Sequence, residues 1–221
     1  VPEDTYAAYD VVIFNSTSQV WIMDRATGQV LTTIELEPID AVANAPVAVD
    51  DRYIYLASLR GWFYAIDPVT HLDDWRQATD GMISARPHRV AEMLYVANQA
   101  GKLLGVTLTG DRPARTWTQD VGGNAAFAAE FVVEPRGIFA GNTDYNVYSF
   151  ATVTGVRNWS TRLGGPIYDP VQAGTVNVYA KVRGGGLFAL DLATGRQKWS
   201  LPAGRLVAAE WDGAALAPTT D

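Results

Sequence analysis

Short apolar runs rich in Val, Ile, Tyr and Phe recur along the chain, each bounded by clusters of turn-forming residues. Val11–Phe14, Tyr53–Leu56, Met93–Val96, Phe131–Val133 and Val176–Tyr179 are examples. Runs of this length and composition, broken by turn residues about every eight to twelve positions, predict strands. No segment carries the i, i+3, i+4, i+7 apolar stripe of a helix. Ala125–Ala129 has helical propensity, but it follows Gly122-Gly123 and runs into Phe131-Val132-Val133, so a strand is the expectation there too.

The strand pattern repeats. Gly186-Leu187-Phe188-Ala189-Leu190-Asp191-Leu192-Ala193-Thr194-Gly195, closed by Trp199, has four weaker counterparts. They are Val20–Gly28, Trp62–His71 closed by Trp75, Leu103–Gly110 closed by Trp117, and Asn146–Gly155 closed by Trp159. Aligned at the Asp position, the copies fall at 24, 67, 107, 151 and 191, a spacing of 43, 40, 44 and 40 residues. A period of about 42 residues is that of a four-stranded propeller blade, and five such units fill nearly the whole chain. The expected fold is all-β, a propeller of about five blades forming a single domain over residues 1–221.

Each part of the repeat has a physical role. Asp24, Asp67 and Asp191 end an apolar strand where a carboxylate can accept backbone N–H groups of the following turn. Gly28, Gly110, Gly155 and Gly195 supply the left-handed conformation that closes the hairpin. Trp75, Trp117, Trp159 and Trp199 then fall on the outer strand, where a large flat ring fills the gap to the next blade. These residues are expected to be structural, because a repeated residue calls for a repeated role.

This pattern resembles the tryptophan-docked propellers whose repeat is named for pyrroloquinoline quinone (PQQ), and within them the non-enzymatic, BamB-like branch. The resemblance covers residues 11 to 204 and is strongest at 186 to 199. Departures are Thr32 in place of Trp, Thr107 and Ala151 in place of Asp, and His71 in place of Gly.

Three strands per unit are expected at 11–16, 20–24 and 29–36; 53–58, 62–67 and 73–79; 93–98, 102–108 and 114–120; 137–142, 146–151 and 155–163; and 177–182, 186–191 and 197–202. Innermost strands are expected near Val47–Asp50, Arg86–Val90, Ala128–Val133 and Ile167–Gln172. Leu206–Glu210 would join the first unit and close the ring, which removes the exposed edges of an open arc. The alternative has Thr5–Ala8 as the first unit's own inner strand and Leu206 onward as the start of a sixth unit, with Ala214–Ala217 as its second strand.

Composition narrows the function. Seven Trp, ten Tyr, seven Phe and 20 Gly suit a β-rich chain, and the absence of Cys removes disulfides, thiolate metal sites and cysteine nucleophiles. With 24 acidic against 17 basic residues the net charge is -7, which argues against nucleic acid as a partner. No apolar run has the length of a membrane-spanning helix. Walker, Gly-x-Ser-x-Gly, His-Glu-x-x-His and EF-hand patterns are not found. Gly184-Gly185-Gly186 lacks a following helix and is expected to be a hairpin, and the acidic pairs Asp50-Asp51 and Asp73-Asp74 to be solvated turn carboxylates.

The quinone-dependent enzymes of the resembled family are larger and hold calcium beside a catalytic Asp. No such acidic loop is recognisable here, so neither PQQ nor calcium is expected, and no catalytic or metal-binding residue is assigned. A ligand, if any, would use the central channel, where Arg86, His88, Glu130, Tyr168, Asp169, Arg205 and Glu210 fall on or beside inner strands. Trp62, Phe63, Tyr6 and Tyr9 are candidate anchors for a protein partner.

The resemblance implies a non-catalytic, monomeric protein-binding or assembly scaffold, periplasmic or secreted, presenting propeller loops to a partner. It is compatible with a lipid anchor upstream of residue 1. The alternative is a small-ligand sensor or quinoprotein-type enzyme domain using the channel.

Overall fold

The computed structural model describes residues 11–15, 18–35, 47–50, 52–123, 125–211 and 214–216, which form 21 strands and no helix. The first sheet is β1 (Val11–Asn15), β2 (Gln19–Asp24) and β3 (Val30–Glu35). Four four-stranded meanders follow. They are β4–β7 (Ala48–Val49, Ile54–Ala57, Trp62–Ile66, Asp73–Ala78), β8–β11 (His88–Val90, Met93–Ala97, Lys102–Thr109, Arg112–Asp120), β12–β15 (Val132–Glu134, Gly137–Gly141, Asn146–Phe150, Arg157–Arg162) and β16–β19 (Gln172–Ala173, Asn177–Val182, Gly186–Asp191, Gln197–Leu201). The chain ends in the pair β20 (Ala209–Trp211) and β21 (Ala214–Leu216). All registered pairs are antiparallel, and the sheets are termed blades 1 to 6 in chain order.

Strand alternation sends the two faces of blades 2 to 5 into two different cores. In blade 2, Ile54, Leu56, Tyr64 and Ile66 pack on Val20, Ile22 and Ile34 of blade 1. The intervening Tyr55, Ala57, Phe63 and Ala65 pack on Leu94, Val96 and Val106 of blade 3. Blade 4 divides likewise: Ile138 and Ala140 meet Tyr95 and Leu103 of blade 3, whereas Phe139 and Val147 meet Val178 and Leu190 of blade 5. Burial on both faces explains why the middle strands are apolar throughout.

The hairpin closing each third strand follows from the Asp and Gly positions. The N–H groups of Gly28, His71, Gly155 and Gly195 donate to the carbonyls of Asp24, Asp67, Ala151 and Asp191 at 2.8–2.9 Å. The four donors have φ of 71°, 61°, 69° and 71°, so His71 bears a side chain where the turn suits glycine. Asp24, Asp67 and Asp191 each also accept backbone N–H groups through Oδ1. At Ala151 there is no carboxylate, and the turn is closed by the main-chain bonds with the Thr154 hydroxyl, which accepts from the Val156 N–H at 3.4 Å. Blade 3 differs: Thr109 pairs Arg112 across Gly110 and Asp111, both with positive φ, which makes a two-residue hairpin with longer strands.

A register shift follows the same position in blades 1, 2, 4 and 5, and the residue before it faces the tryptophan position; in blade 3 the shift falls two residues later, between Thr107 and Leu108. Ala65, Gly105, Ser149 and Ala189 lie opposite Trp75, Trp117, Trp159 and Trp199, whereas Ile22 lies opposite Thr32. The exchange of size across the pair accommodates the first blade's missing Trp. Trp75 Nε1 donates to Asp111 O of the next blade at 2.9 Å and Trp159 Nε1 to Leu192 O at 3.1 Å. Trp117 packs against Gly155 of blade 4. Its Nε1 has no partner among the described residues, because Tyr95 Oη holds the equivalent carbonyl, Thr152 O.

A second repeated contact joins the blades at the opposite edge. Ile83, Phe127 and Ile167, each fully buried in the linker between two blades, donate their N–H groups to Ser58 O, Asn98 O and Asn142 O of the preceding blade. The neighbouring carbonyls of Met82, Ala126 and Pro166 accept from Gln99, Thr143 and Arg183 of the following blade. The linkers are therefore stitched on both sides.

This stitching corrects the innermost strands. Ala128–Val133 was expected to be a strand, yet pairing begins at Val132, because Ala126 and Phe127 spend their hydrogen bonds on neighbouring hairpins. Ile167–Gln172 shortens to Gln172–Ala173, with the Ile167 N–H given to Asn142 O, and Arg86–Val90 shortens to His88–Val90. Ring closure through Leu206–Glu210 is not formed among the described residues: Ala209–Trp211 pairs with Ala214–Leu216, as in the sixth-unit alternative. Thr5–Ala8 lies outside the described residues.

Candidate functional site

The seven channel candidates do not form one site. Arg86, His88 and Glu130 come together at the entries to β8 and β12, with Arg86 Nε 4.0 Å from a Glu130 oxygen. His88 is half-buried, its ring 4.6 Å from that of Phe131, and its Nε2 has no partner among the described residues. Burial lowers its pKa below the ordinary value; Glu130 raises it and Arg86 lowers it, each by less.

Tyr168, Asp169 and Arg205 form a second group, beside the hairpin joining β17 to β18. Lys181 Nζ lies 3.1 Å from Asp169 Oδ2, and the Arg183 guanidinium sits 5.6 Å above the Tyr168 ring. With Gly184 and Pro202 they line a cleft of about 560 Å³.

Glu210 stands apart, at the opposite edge of the sheets. Its Oε1 accepts from Thr175 Oγ1, the Val176 N–H and Asn177 Nδ2, each at 3.2 Å. Arg136 reaches the same turn, donating to Thr175 O and to Gly174 O. Glu210 and Arg136 thus tie blade 5 to its two neighbours.

Of the partner-anchor candidates, Phe63 is corrected. It is 0% exposed and lies edge-on to Trp75 at 5.6 Å, because its side of β6 faces blade 3. Trp62 points the other way, partly buried against blade 1 and 5.4 Å from the Arg76 guanidinium. Tyr6 and Tyr9 lie outside the described residues.

A polar network missed from sequence joins blades 2 and 3. Asp50 accepts from the N–H groups of Arg52 and Tyr53 and from Tyr55 Oη, with Arg89 Nε 3.6 Å away. Tyr53 Oη and Arg112 both donate to Asp74 at 2.5 Å, and the Tyr53 bond is the main cause of Asp74's lowered pKa. Asp50 is therefore a turn carboxylate that also holds Tyr55 and, from the next blade, Arg89, and Asp74 is an inter-strand and inter-blade acceptor rather than a solvated turn carboxylate. Asp73 is exposed beside Arg76, and Asp51 is outside the described residues. The Tyr53, Tyr55 alternation beside Asp50 was the available signal.

Among the described residues no three carboxylates or histidines converge. Glu130, Asp169 and Glu210 are engaged separately, with Arg86, Lys181 and the blade 5 turn.

Face-to-face four-stranded meanders, joined by tryptophans at one edge and stitched linkers at the other, define a PQQ-like β-propeller. Residues 16–127 and 111–210 match the family model described as outer membrane protein assembly factor BamB, and the chain belongs to that family. A curated BamB from Burkholderia pseudomallei (strain K96243) is 32% identical over 164 residues, covering 72% of this chain and 42% of the relative.

Among solved structures, BamB from Moraxella catarrhalis superposes with a TM-score of 0.72 at 18% identity, covering 86% of this chain and 57% of that one. The computationally designed Ika8 protein gives 0.72 at 14% identity, with coverage of 95% and 65%. The chain thus spans less than half of the curated relative and under two thirds of either solved chain.

Proposed function

We propose that this chain is a non-catalytic, exported protein-binding scaffold that contributes to outer-membrane protein assembly through its propeller loops, without PQQ or calcium. The observation that carries the proposal is the family match across residues 16–210, to a model described as an assembly factor. The architecture suits the role. The hairpins between second and third strands are held by stitched linkers on both sides in blades 3 and 4 and on one side in blades 2 and 5, so loops from successive blades project from a rigid edge. Loops on a rigid scaffold lose little conformational freedom on binding, which favours affinity.

The test is affinity isolation of the tagged chain from solubilised envelopes of cells that have an outer membrane, with quantitative mass spectrometry. Enrichment of an outer-membrane assembly component supports the proposal; recovery of none overturns it. Calorimetry with PQQ and calcium is the second arm, and stoichiometric tight binding there would replace the scaffold by a cofactor-dependent domain.

A further inference from the structure

The hairpin edge of blades 4 and 5 carries a surface whose charge runs against that of the molecule. The chain has a net charge of -7, yet the cleft beside Tyr168 is lined by Lys181, Arg183 and Arg205 against one carboxylate, Asp169. Asp169 is matched to Lys181 at 3.1 Å. Among the described residues, Arg183 and Arg205 have no carboxylate within ion-pair distance. Arg183 instead lies over Tyr168, which is 48% exposed.

The same arrangement recurs one blade earlier. The Arg162 guanidinium sits 5.0 Å from the ring of Tyr145, itself 39% exposed. The two pairs are bridged by one linker: the Leu163 N–H donates to Tyr145 O at 2.7 Å, and the Arg183 N–H to Pro166 O at 3.1 Å. Gly186 packs so closely on Pro202 that a Cβ would not fit, which fixes one wall of the cleft. Leu206, 47% exposed, lines an adjoining hollow of about 390 Å³ that shares Asp169, Lys181 and Arg205.

We propose that this strip, from the Tyr145–Arg162 pair to the Arg183–Arg205 cleft, binds an acidic, aromatic-containing segment of a protein partner. The inference rests on the scaffold reading and names the surface and its chemistry. Guanidinium groups held over exposed aromatic rings present forked donors to carboxylates and flat faces to side chains. Arg and Tyr are also the residue types that dominate protein interfaces. The overall charge of -7 repels an anionic lipid surface, whereas a carboxylate-bearing segment need meet only the local positive cleft.

The probe is a fluorescein-labelled dodecapeptide of Glu with two Phe, read by fluorescence anisotropy at low salt. Its Gln counterpart and phosphatidylglycerol vesicles are the comparators. The Glu peptide should bind at least tenfold tighter than the Gln peptide. The double reversal Arg183→Glu/Arg205→Glu should weaken it by a further tenfold or more, with circular dichroism and thermal midpoint unchanged. The matched reversal Arg115→Glu/Arg157→Glu, on exposed outer strands, should change it less than twofold.

Equal effects of both reversals, no binding of the Glu peptide, or binding of the vesicles alone would each overturn the proposal. If the double reversal still isolates the same assembly component from envelopes as the wild type, this surface is wrong and the scaffold reading stands. If the wild type isolates none, the scaffold reading fails whatever the peptide does.

Discussion

Substituting alanine for Gly195 and, separately, for Gly28 separates turn conformation from inter-blade packing. Both glycines close the same hairpin, and both have φ of 71°. Alanine there costs about 1–2 kcal/mol of left-handed strain, offset by about 0.4–1 kcal/mol because the unfolded chain loses freedom. The net cost is about 1 kcal/mol at either site.

The surroundings differ. A Cβ at Gly28 would meet nothing within 4 Å, whereas at Gly195 it would lie 2.5 Å from Trp159 Cε3, 2.6 Å from Cδ2 and 2.8 Å from Thr161 Oγ1. Overpacking of this kind adds about 1–3 kcal/mol. Gly195→Ala should therefore cost about 2–4 kcal/mol and Gly28→Ala about 1 kcal/mol. Urea unfolding followed by circular dichroism gives both values. Trp159→Leu should cancel most of the excess at Gly195 in a double-mutant cycle. Equal costs at the two glycines, or a cycle with no coupling, would refute the assignment of Gly195 as the seat of the preceding blade's Trp.

The remaining predictions use the same geometry. His71→Gly relieves a side chain at φ 61° and should raise stability by up to about 1 kcal/mol in the same assay. His88 has a depressed pKa in the folded state, so its stabilising effect is complete above its ordinary value of about 6.5 and is lost as pH falls toward the lower folded value. The wild type should lose stability from about pH 6.5 downward, and His88→Phe should lack that step. Asp191, held down to about 2 mainly by the Thr194 hydroxyl, contributes above the carboxylate range and loses its contribution as pH falls from about 4 toward 2. Acid unfolding of Asp191→Asn should be correspondingly flatter there. Trp159→Phe, which leaves Leu192 O without its donor, should cost at least about 1 kcal/mol in urea.

The second, third and fourth strands of each unit were legible because local rules specify them. Continuous apolar runs place two-sided burial, and the Asp to Gly spacing places the hairpin. Even the departures were informative: Ala151 keeps the turn through main-chain bonds, and Thr32 is matched by Ile22 across the sheet. The innermost strands were less legible, since β4 and β16 have two residues each and the linkers before β8, β12 and β16 pack and hydrogen-bond without a ladder. Alternation cannot distinguish such extended linkers from strands, as Ala128–Val133 shows. The polar sites were least legible. The cleft at Arg183 draws on residues near 168, 183 and 205, and the network at Asp50 on residues near 52, 74, 89 and 111, so only the fold brings them together.

The most direct test of the scaffold account is site-specific photocrosslinking in intact envelopes, with a photoreactive phenylalanine at Tyr168 on the hairpin edge or at exposed Val153 on the opposite edge. The account predicts a discrete crosslinked species from position 168 that contains an outer-membrane assembly component, and none from position 153. Crosslinks of equal yield at both positions, or none at 168, would contradict it.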